Sequence, residues 1–288
     1  NRKDIEKDKA KKGENIYYPS LDSLRMEERE DEPVLIFTIT DEKNNVVRKL
    51  KEPAKRGIHR LVWDLRWSAP EPISFRTRDE DNLYDEPNIG HLAMPGKYFV
   101  SLSKMVNGNL VELVPATAFN CVKLNNVTFP AKDLLALEQF YAKVSELARV
   151  LSAADVNRED MMDKMKYIKA ALLESPKSSM NLHAEVKRIE NALKDLNIKM
   201  NGDATLSKRE FEVLPGINSR VGNIEYSLWR SSQAPTETNK QSLELAIKIF
   251  EPIPAELKAL ENAIKAIEKQ LEQDGAPYTP GRAWEWKR

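Results

Sequence analysis

The 288 residues carry 45 basic and 45 acidic side chains, so the formal charge cancels and no global field draws the chain to nucleic acid or an anionic membrane. Hydrophobic residues at 41% and charged residues at 31% describe a well-solvated globular chain, long enough for two cores, and no apolar run reaches the length of a membrane span. One cysteine, Cys121, excludes an internal disulfide and a cysteine-based metal cage. The opening on Asn1 predicts a segment of a longer protein, which leaves location open.

Residues 1–14 are dominated by Lys, Asp and Glu, and Ile5 is too little to make an apolar face. A solvated helix or a disordered tail is expected there. Ile16-Tyr17-Tyr18-Pro19 breaks that pattern. Leu21 and Leu24 start a short helical turn. Val34 to Thr40 is a strand, Asp41 to Asn45 a hairpin connection, and Val46 to Leu50 its partner. In Gly57-Ile58-His59-Arg60-Leu61-Val62-Trp63-Asp64-Leu65-Arg66-Trp67 a period of two puts His59, Leu61, Trp63, Leu65 and Trp67 on one face. That alternation predicts a half-buried strand with Trp63 central to the core. Residues 68–95 then form a long loop with Pro70, Pro72, Pro87 and Gly90. Met94-Pro95-Gly96-Lys97 reads as a type II turn. Tyr98, Val100 and Leu102 alternate along the next strand, Asn107-Gly108 turns the chain, and Leu110 to Val114 and Thr117 to Leu124 follow as strands. Cys121 is expected as a buried strand thiol.

From Pro130 the period becomes helical. Leu134, Leu137, Tyr141, Val144, Ala148 and Leu151 mark one long helix. Asp155 is read as the N-cap of a second, with Met161, Met165, Ile168 and Leu172 on its stripe. Leu182 to Leu196 and Ile217 to Leu228 mark two more. Ala234-Pro235-Thr236 opens another, Pro252 and Pro254 kink or break it, and Leu257 to Leu271 carry the last. The expected fold is α+β in two domains: a charged segment 1–16, an Ig-like antiparallel β-sandwich over 17–125 with the loop 68–95, and an all-α helical bundle over 127–288.

No catalytic motif and no cofactor motif stands out. The acidic cluster Asp79, Glu80, Asp81, Asp85 and Glu86 either holds Ca²⁺ or is a solvated loop; it lacks the spacing of an EF-hand, so Asp79, Asp81 and Asp85 are a weak metal candidate. His59, His91 and His183 match no zinc pattern, and His59, on the tryptophan face, is expected as a core histidine. Trp284 and Trp286 are expected to dock onto the body rather than stand exposed. Asn126-Val127-Thr128 fits a glycosylation sequon. The loop's Phe75, Leu83, Tyr84 and Ile89 are more apolar than a solvated loop needs. With Arg76 and Arg78 they form the candidate partner-binding set, and packing of this loop against the helical bundle is expected.

Tyr18-Pro19-Ser20 through Arg25-Met26-Glu27-Glu28-Arg29-Glu30, Gly57-Ile58-His59-Arg60 with Trp63-Asp64-Leu65-Arg66, Met94-Pro95-Gly96-Lys97-Tyr98 and Ala234-Pro235-Thr236 carry a resemblance. They are similar to the region C-terminal to the β-propeller in bacterial sortilin-like, BNR-repeat proteins, often labelled glycosyl hydrolases. The Gly57-to-Tyr98 stretch also resembles the Ig-like module of flagellar hook-capping proteins. The resemblance covers most of the chain and implies a non-catalytic accessory region of a secreted or periplasmic protein. Its partner would be the upstream propeller of the same polypeptide, another protein or a glycan. The rival expectation is a contribution to a glycosidase or peptidase site lying mainly in the propeller.

Overall fold

The computed structural model describes residues 2–76, 79, 81–82, 88–124, 131–177 and 180–286. The chain is mixed α+β and divides into two compact units, one of residues 1–63 with 96–121, the other of residues 64–95 with 122–288.

The first unit opens with helix α1 (Arg2–Lys11), which buries nothing, as its charged composition requires. Helix α2 (Leu21–Glu27) starts at Ser20, whose hydroxyl accepts the Ser23 amide at 3.2 Å, and Arg2 forks onto Glu27 at its far end, with Nη2 2.8 Å from Oε2. Four antiparallel strands follow: β1 (Val34–Asp41), β2 (Val46–Pro53), β3 (Gly96–Val106) and β4 (Asn109–Cys121), in the spatial order β2-β1-β3-β4. The β1–β2 turn is held by Asp41, whose carboxylate accepts the amides of Lys43 and Asn45 at 2.8 Å, while Asn44 takes a left-handed backbone. Asn107 and Gly108 both have positive φ, the type I′ signature of a two-residue hairpin. Gly96, expected as the third residue of a type II turn, instead opens β3, and the two strands expected over 110–124 are the single strand β4. That strand forms one edge of the sheet and leaves Leu110, Val111, Leu113 and Val114 exposed.

The tryptophan stretch does not form a strand. Gly57 at φ 129° and Leu65 at φ 58° break the extended backbone at both ends, and no ladder joins the residues between them to the sheet. His59 is exposed rather than in a core, its Nε2 at 3.0 Å from the Lys55 carbonyl, and Ile58 and Val62 are also exposed. Trp63 is half-buried and meets Tyr98 and Phe119 edge-on, with centroids at 5.5 and 6.0 Å; Ile39, Val47 and Tyr98 are the buried apolar residues of this unit among those described.

The second unit is built on α3 (Leu134–Glu174), 41 residues and roughly 60 Å long. The two helices expected here are one. Asp155 is not an N-cap; its carboxylate pairs with Arg158 at 2.8 Å and accepts the amides of Asn201 and Asn218 at 3.2 and 3.0 Å. No Gly or Pro interrupts α3, and the buried stripe runs on through Arg158 from Leu151 to Met161. Against α3 pack α4 (Met180–Asn201), α6 (Ile217–Leu228) and α8 (Ile253–Gln273), with the short α5 (Ala204–Ser207) and with α7 (Glu237–Phe250) completing the set. Thr236 and Asn239 form a capping box at the start of α7, and Pro252 and Pro254 lie where α8 begins. The core is apolar: Leu137, Tyr141, Ile168, Ile189, Leu193, Ile224 and Leu271 are all essentially inaccessible.

Helices α4 and α6 approach so closely that Gly216 has no room for a side chain: a Cβ there would stand 2.5 Å from the Met200 carbonyl oxygen and 2.6 Å from the Gly202 nitrogen. Both obstacles are backbone and cannot swing aside. Gly216→Ala is expected to lose about 1–3 kcal/mol, read as a lower midpoint in thermal unfolding; an unchanged midpoint would show that the α4–α6 junction relaxes freely.

After α8 the chain stays attached through Arg282, which is buried, donates Nη2 to the Ala276 carbonyl at 2.8 Å and pairs with Glu272 at 3.3 Å. One more bond follows, from the Glu285 amide to Glu272 Oε1 at 3.2 Å. Trp284 and Trp286 are exposed, contrary to the expectation that they pack on the body. No described helix is long and apolar enough to cross a membrane.

Candidate functional site

The segment between Asp64 and Pro95 belongs to the helical unit, and its two ends are stitched together. The left-handed Leu65 reverses the chain; its carbonyl accepts the Ala93 amide at 2.8 Å, and Trp67 donates to the His91 carbonyl at 3.0 Å. Arg66 and Leu92 form an isolated antiparallel bridge. Gly90 makes this closure possible, since a Cβ there would lie 2.3 Å from the Trp67 carbonyl oxygen. The two ends therefore form a closed root.

That root is bolted to the helices. Arg66 donates Nη1 to the Gly90 carbonyl at 3.1 Å and to the Trp229 carbonyl, just past α6, at 2.6 Å. His91 lies between the rings of Trp67 and Tyr141, 5.3 and 5.1 Å from their centroids, with Trp229 edge-on at 6.3 Å. Its Nδ1 is 3.1 Å from the Leu92 carbonyl oxygen and must carry the proton there, because a carbonyl only accepts. Burial lowers the His91 pKa; the bond to Leu92 opposes this and the charge of Arg66 adds to it, so the ring stays neutral and serves as packing. The Tyr141 hydroxyl bridges the Leu228 and Ser231 carbonyls at 2.8 and 2.9 Å, and burial pushes its pKa up to about 12. The root thus meets the helices through Arg66 and His91, whereas Phe75, one of the apolar side chains expected to cover the bundle, stays exposed.

Of the candidate partner-binding set, Phe75 is 98% exposed, with Ile73 beside it at 91%. Arg76 is exposed, its amide bonded to the Ser74 hydroxyl at 3.1 Å, and Ile89 is half-buried on a cleft described below. Arg78, Leu83 and Tyr84 lie outside the described residues, as do Asp85 and the sequon at Asn126. The structure therefore brings Phe75 and Arg76 together on one exposed run, with Ile89 elsewhere on the unit. Asp79 and Asp81 are exposed, and the Asp79 carboxylate accepts the Asp81 amide at 3.1 Å. Among the described residues, no three His, Cys, Asp or Glu side chains gather as a metal site. His183 is exposed on α4, and Cys121 is half-buried, its thiol pushed up by burial.

A second feature had no local signal in the sequence. Glu71, held between Pro70 and Pro72, faces Glu225 of α6. Burial pushes both carboxyls up, and the charge of Glu71 adds to the effect on Glu225, which reaches about 7. No donor among the described residues reaches Glu71 Oε2 or Glu225 Oε1, although both atoms are buried. The two side chains, with Gly222, line both a 250 Å³ cleft toward Tyr226 and Trp229 and a 90 Å³ groove toward Leu151 and Ser152 of α3. The sequence hid this pair because Glu71 lies in a proline-rich loop and Glu225 directly follows a core isoleucine. Each reads as ordinary solvated surface. Compared with known proteins, the chain matches no family model, no curated protein and no solved structure.

Proposed function

We propose that the chain is a non-catalytic accessory region of a secreted or periplasmic β-propeller protein, binding its own propeller, a partner protein or a glycan through the loop at 68–95. The observation that carries this reading is the presentation of Ile73 and Phe75 in water on a loop whose root is fixed to the helices. Two large apolar side chains on a braced loop favour a surface waiting for a partner over a simple connection. Arg76 beside them supplies the start of a polar rim.

The strand order supports the finer fold reading, an Ig-like module. Reading β1–β2 as the C–C′ hairpin, β3–β4 as the F–G hairpin and β1–β3 as the C–F pairing gives C′-C-F-G, the order of one layer of such a sandwich. On this reading Trp63, packed on Tyr98 and Phe119, covers the inner face where the second layer would lie.

Replacing Ile73 and Phe75 together by Ser tests the proposal. The midpoint of unfolding is expected to move by less than about 2 °C, because both side chains are exposed. Binding to the separately produced propeller of the same polypeptide is expected to weaken by about tenfold or more. Unaltered propeller binding, or a parent polypeptide without a propeller, overturns it. So does saturable turnover of a glycoside or peptide substrate by this chain, abolished by a single carboxylate substitution, which would favour the enzymatic rival.

A further inference from the structure

The Glu71–Glu225 pair is distinct from the exposed run at Ile73 and Phe75 and stands whether or not that run meets a partner. Two buried carboxyl oxygens without donors are costly, and two like charges sharing one low-dielectric wall are costlier. Folding has left them so, beside open space. Gly222 adds to that space: it sits inside helix α6, where glycine is the poorest ordinary residue, yet a Cβ there would meet nothing within 4 Å. Close packing therefore does not account for the glycine, while a cleft kept clear for a ligand does.

Trp229 is an independent indication. Its side chain is 97% buried on the wall of the same cleft, since only 3% of its surface is exposed, and its indole N–H has no acceptor among the described residues. The residues that line the cleft thus include two buried carboxyl oxygens lacking a donor and one buried indole N–H lacking an acceptor among the described residues. Tyr226, exposed at the rim, offers a ring face to a positive group and already has the Arg230 guanidinium 5.1 Å from its centroid. A hydroxylic ligand would fill the hydrogen bonds but leave the two like charges uncompensated. A hard metal ion needs about six oxygen ligands, and no third His, Cys, Asp or Glu joins the two carboxylates among the described residues.

We infer that this cleft binds the cationic head of a basic amino-acid residue, with Glu71 and Glu225 accepting from its guanidinium or ammonium group and the Trp229 indole N–H donating to a carbonyl of the same ligand. Binding displaces the proton that Glu225 holds near neutrality, so affinity rises between about pH 6 and pH 8. Among the described residues, the other charged groups lining the cleft are Glu71 on the loop and Arg230 beyond α6, and α3 lines the adjoining groove with Ala148, Leu151 and Ser152. His91, against Trp229, is held toward its neutral form by burial.

Calorimetric titration of the chain with N-acetyl-arginine methylamide, its neutral glutamine counterpart, agmatine and calcium chloride, each to about 10 mM, decides the matter. Saturable binding of the arginine amide is expected, with none of the glutamine amide. It is expected to weaken by about tenfold or more in Glu225→Gln and again in Gly222→Leu, which puts a side chain into the cleft and removes neither carboxylate. Agmatine shares the cation but lacks the carbonyl. Its weaker binding supports both contacts, whereas tighter binding overturns the carbonyl contact to Trp229. No saturable binding of the arginine amide overturns the inference, as does equal binding of the glutamine amide or calcium binding with the same dependence on Glu225. Because Ile73 and Phe75 are untouched, failure here leaves the partner-loop reading standing, and the converse holds for the double Ser variant.

Discussion

Trp229→Ala is expected to cost about 3–5 kcal/mol, the range for emptying a buried aromatic site. Trp229 follows α6 directly, with its ring against His91 and its carbonyl oxygen receiving Arg66. Removing the ring empties the space beneath the loop root, so Arg66, Trp67 and His91 lose the surface they rest on. Limited proteolysis is then expected to cut within residues 68–90 well before the helices, and faster than in the unaltered chain. Trp229→Phe keeps most of the apolar volume and deletes an N–H that has no acceptor among the described residues, so it is expected to cost only about 1 kcal/mol. If Trp229→Ala leaves the cutting rate unchanged, the loop root is held by something other than this junction.

Glu225→Gln is expected to stabilise the helical unit above neutrality. The carboxyl titrates near 4.5 when unfolded and at about 7 when folded. Between those values the folded chain binds the extra proton, so stability falls as pH rises through this window and levels off above it. The shift corresponds to about 2 kcal/mol once partial exposure is allowed for. Gln cannot ionise, so the variant should gain roughly that amount over the unaltered chain at about pH 8 and nothing at about pH 4.5. A weaker slope persists from Glu71, which burial also pushes up. Urea unfolding of both proteins at the two pH values checks this; parallel pH profiles would mean that Glu225 is better solvated than its surroundings imply.

What was legible in the sequence follows from how local each signal is. The stripes of α4, α6, α7 and α8 repeat every three to four residues, and Thr236, Pro252 and Pro254 fix ends through contacts within a few positions. The hairpin at Asn107-Gly108 depends only on two residues tolerating positive φ. Errors arose where one residue serves two purposes. Asp155 has the chemistry of a cap, but its partners Asn201 and Asn218 come from other helices. The alternation through Trp63 is real in composition, yet Leu65 turns left-handed and sends Trp67 to His91 and the helices while Trp63 stays with Tyr98. His91 looked like a loop histidine because the rings that enclose it, Tyr141 and Trp229, come from distant elements. The Glu71–Glu225 pair was illegible for the same reason. Its chemistry exists only after the loop has docked.

Strand β4 carries a consequence for how the molecule behaves in crowded solution. An outer strand with Leu110, Val111, Leu113 and Val114 exposed invites another chain to continue the sheet, which is how fibrils propagate. Pro115 interrupts that invitation: it lacks an amide hydrogen, and the pairing of β3 with β4 shifts register beside it. An incoming strand finds two short docking runs, Leu110–Val114 and Ala116–Asn120, in place of one long template. Each run is a shorter template than the whole strand, which weakens the pull of the edge on another chain.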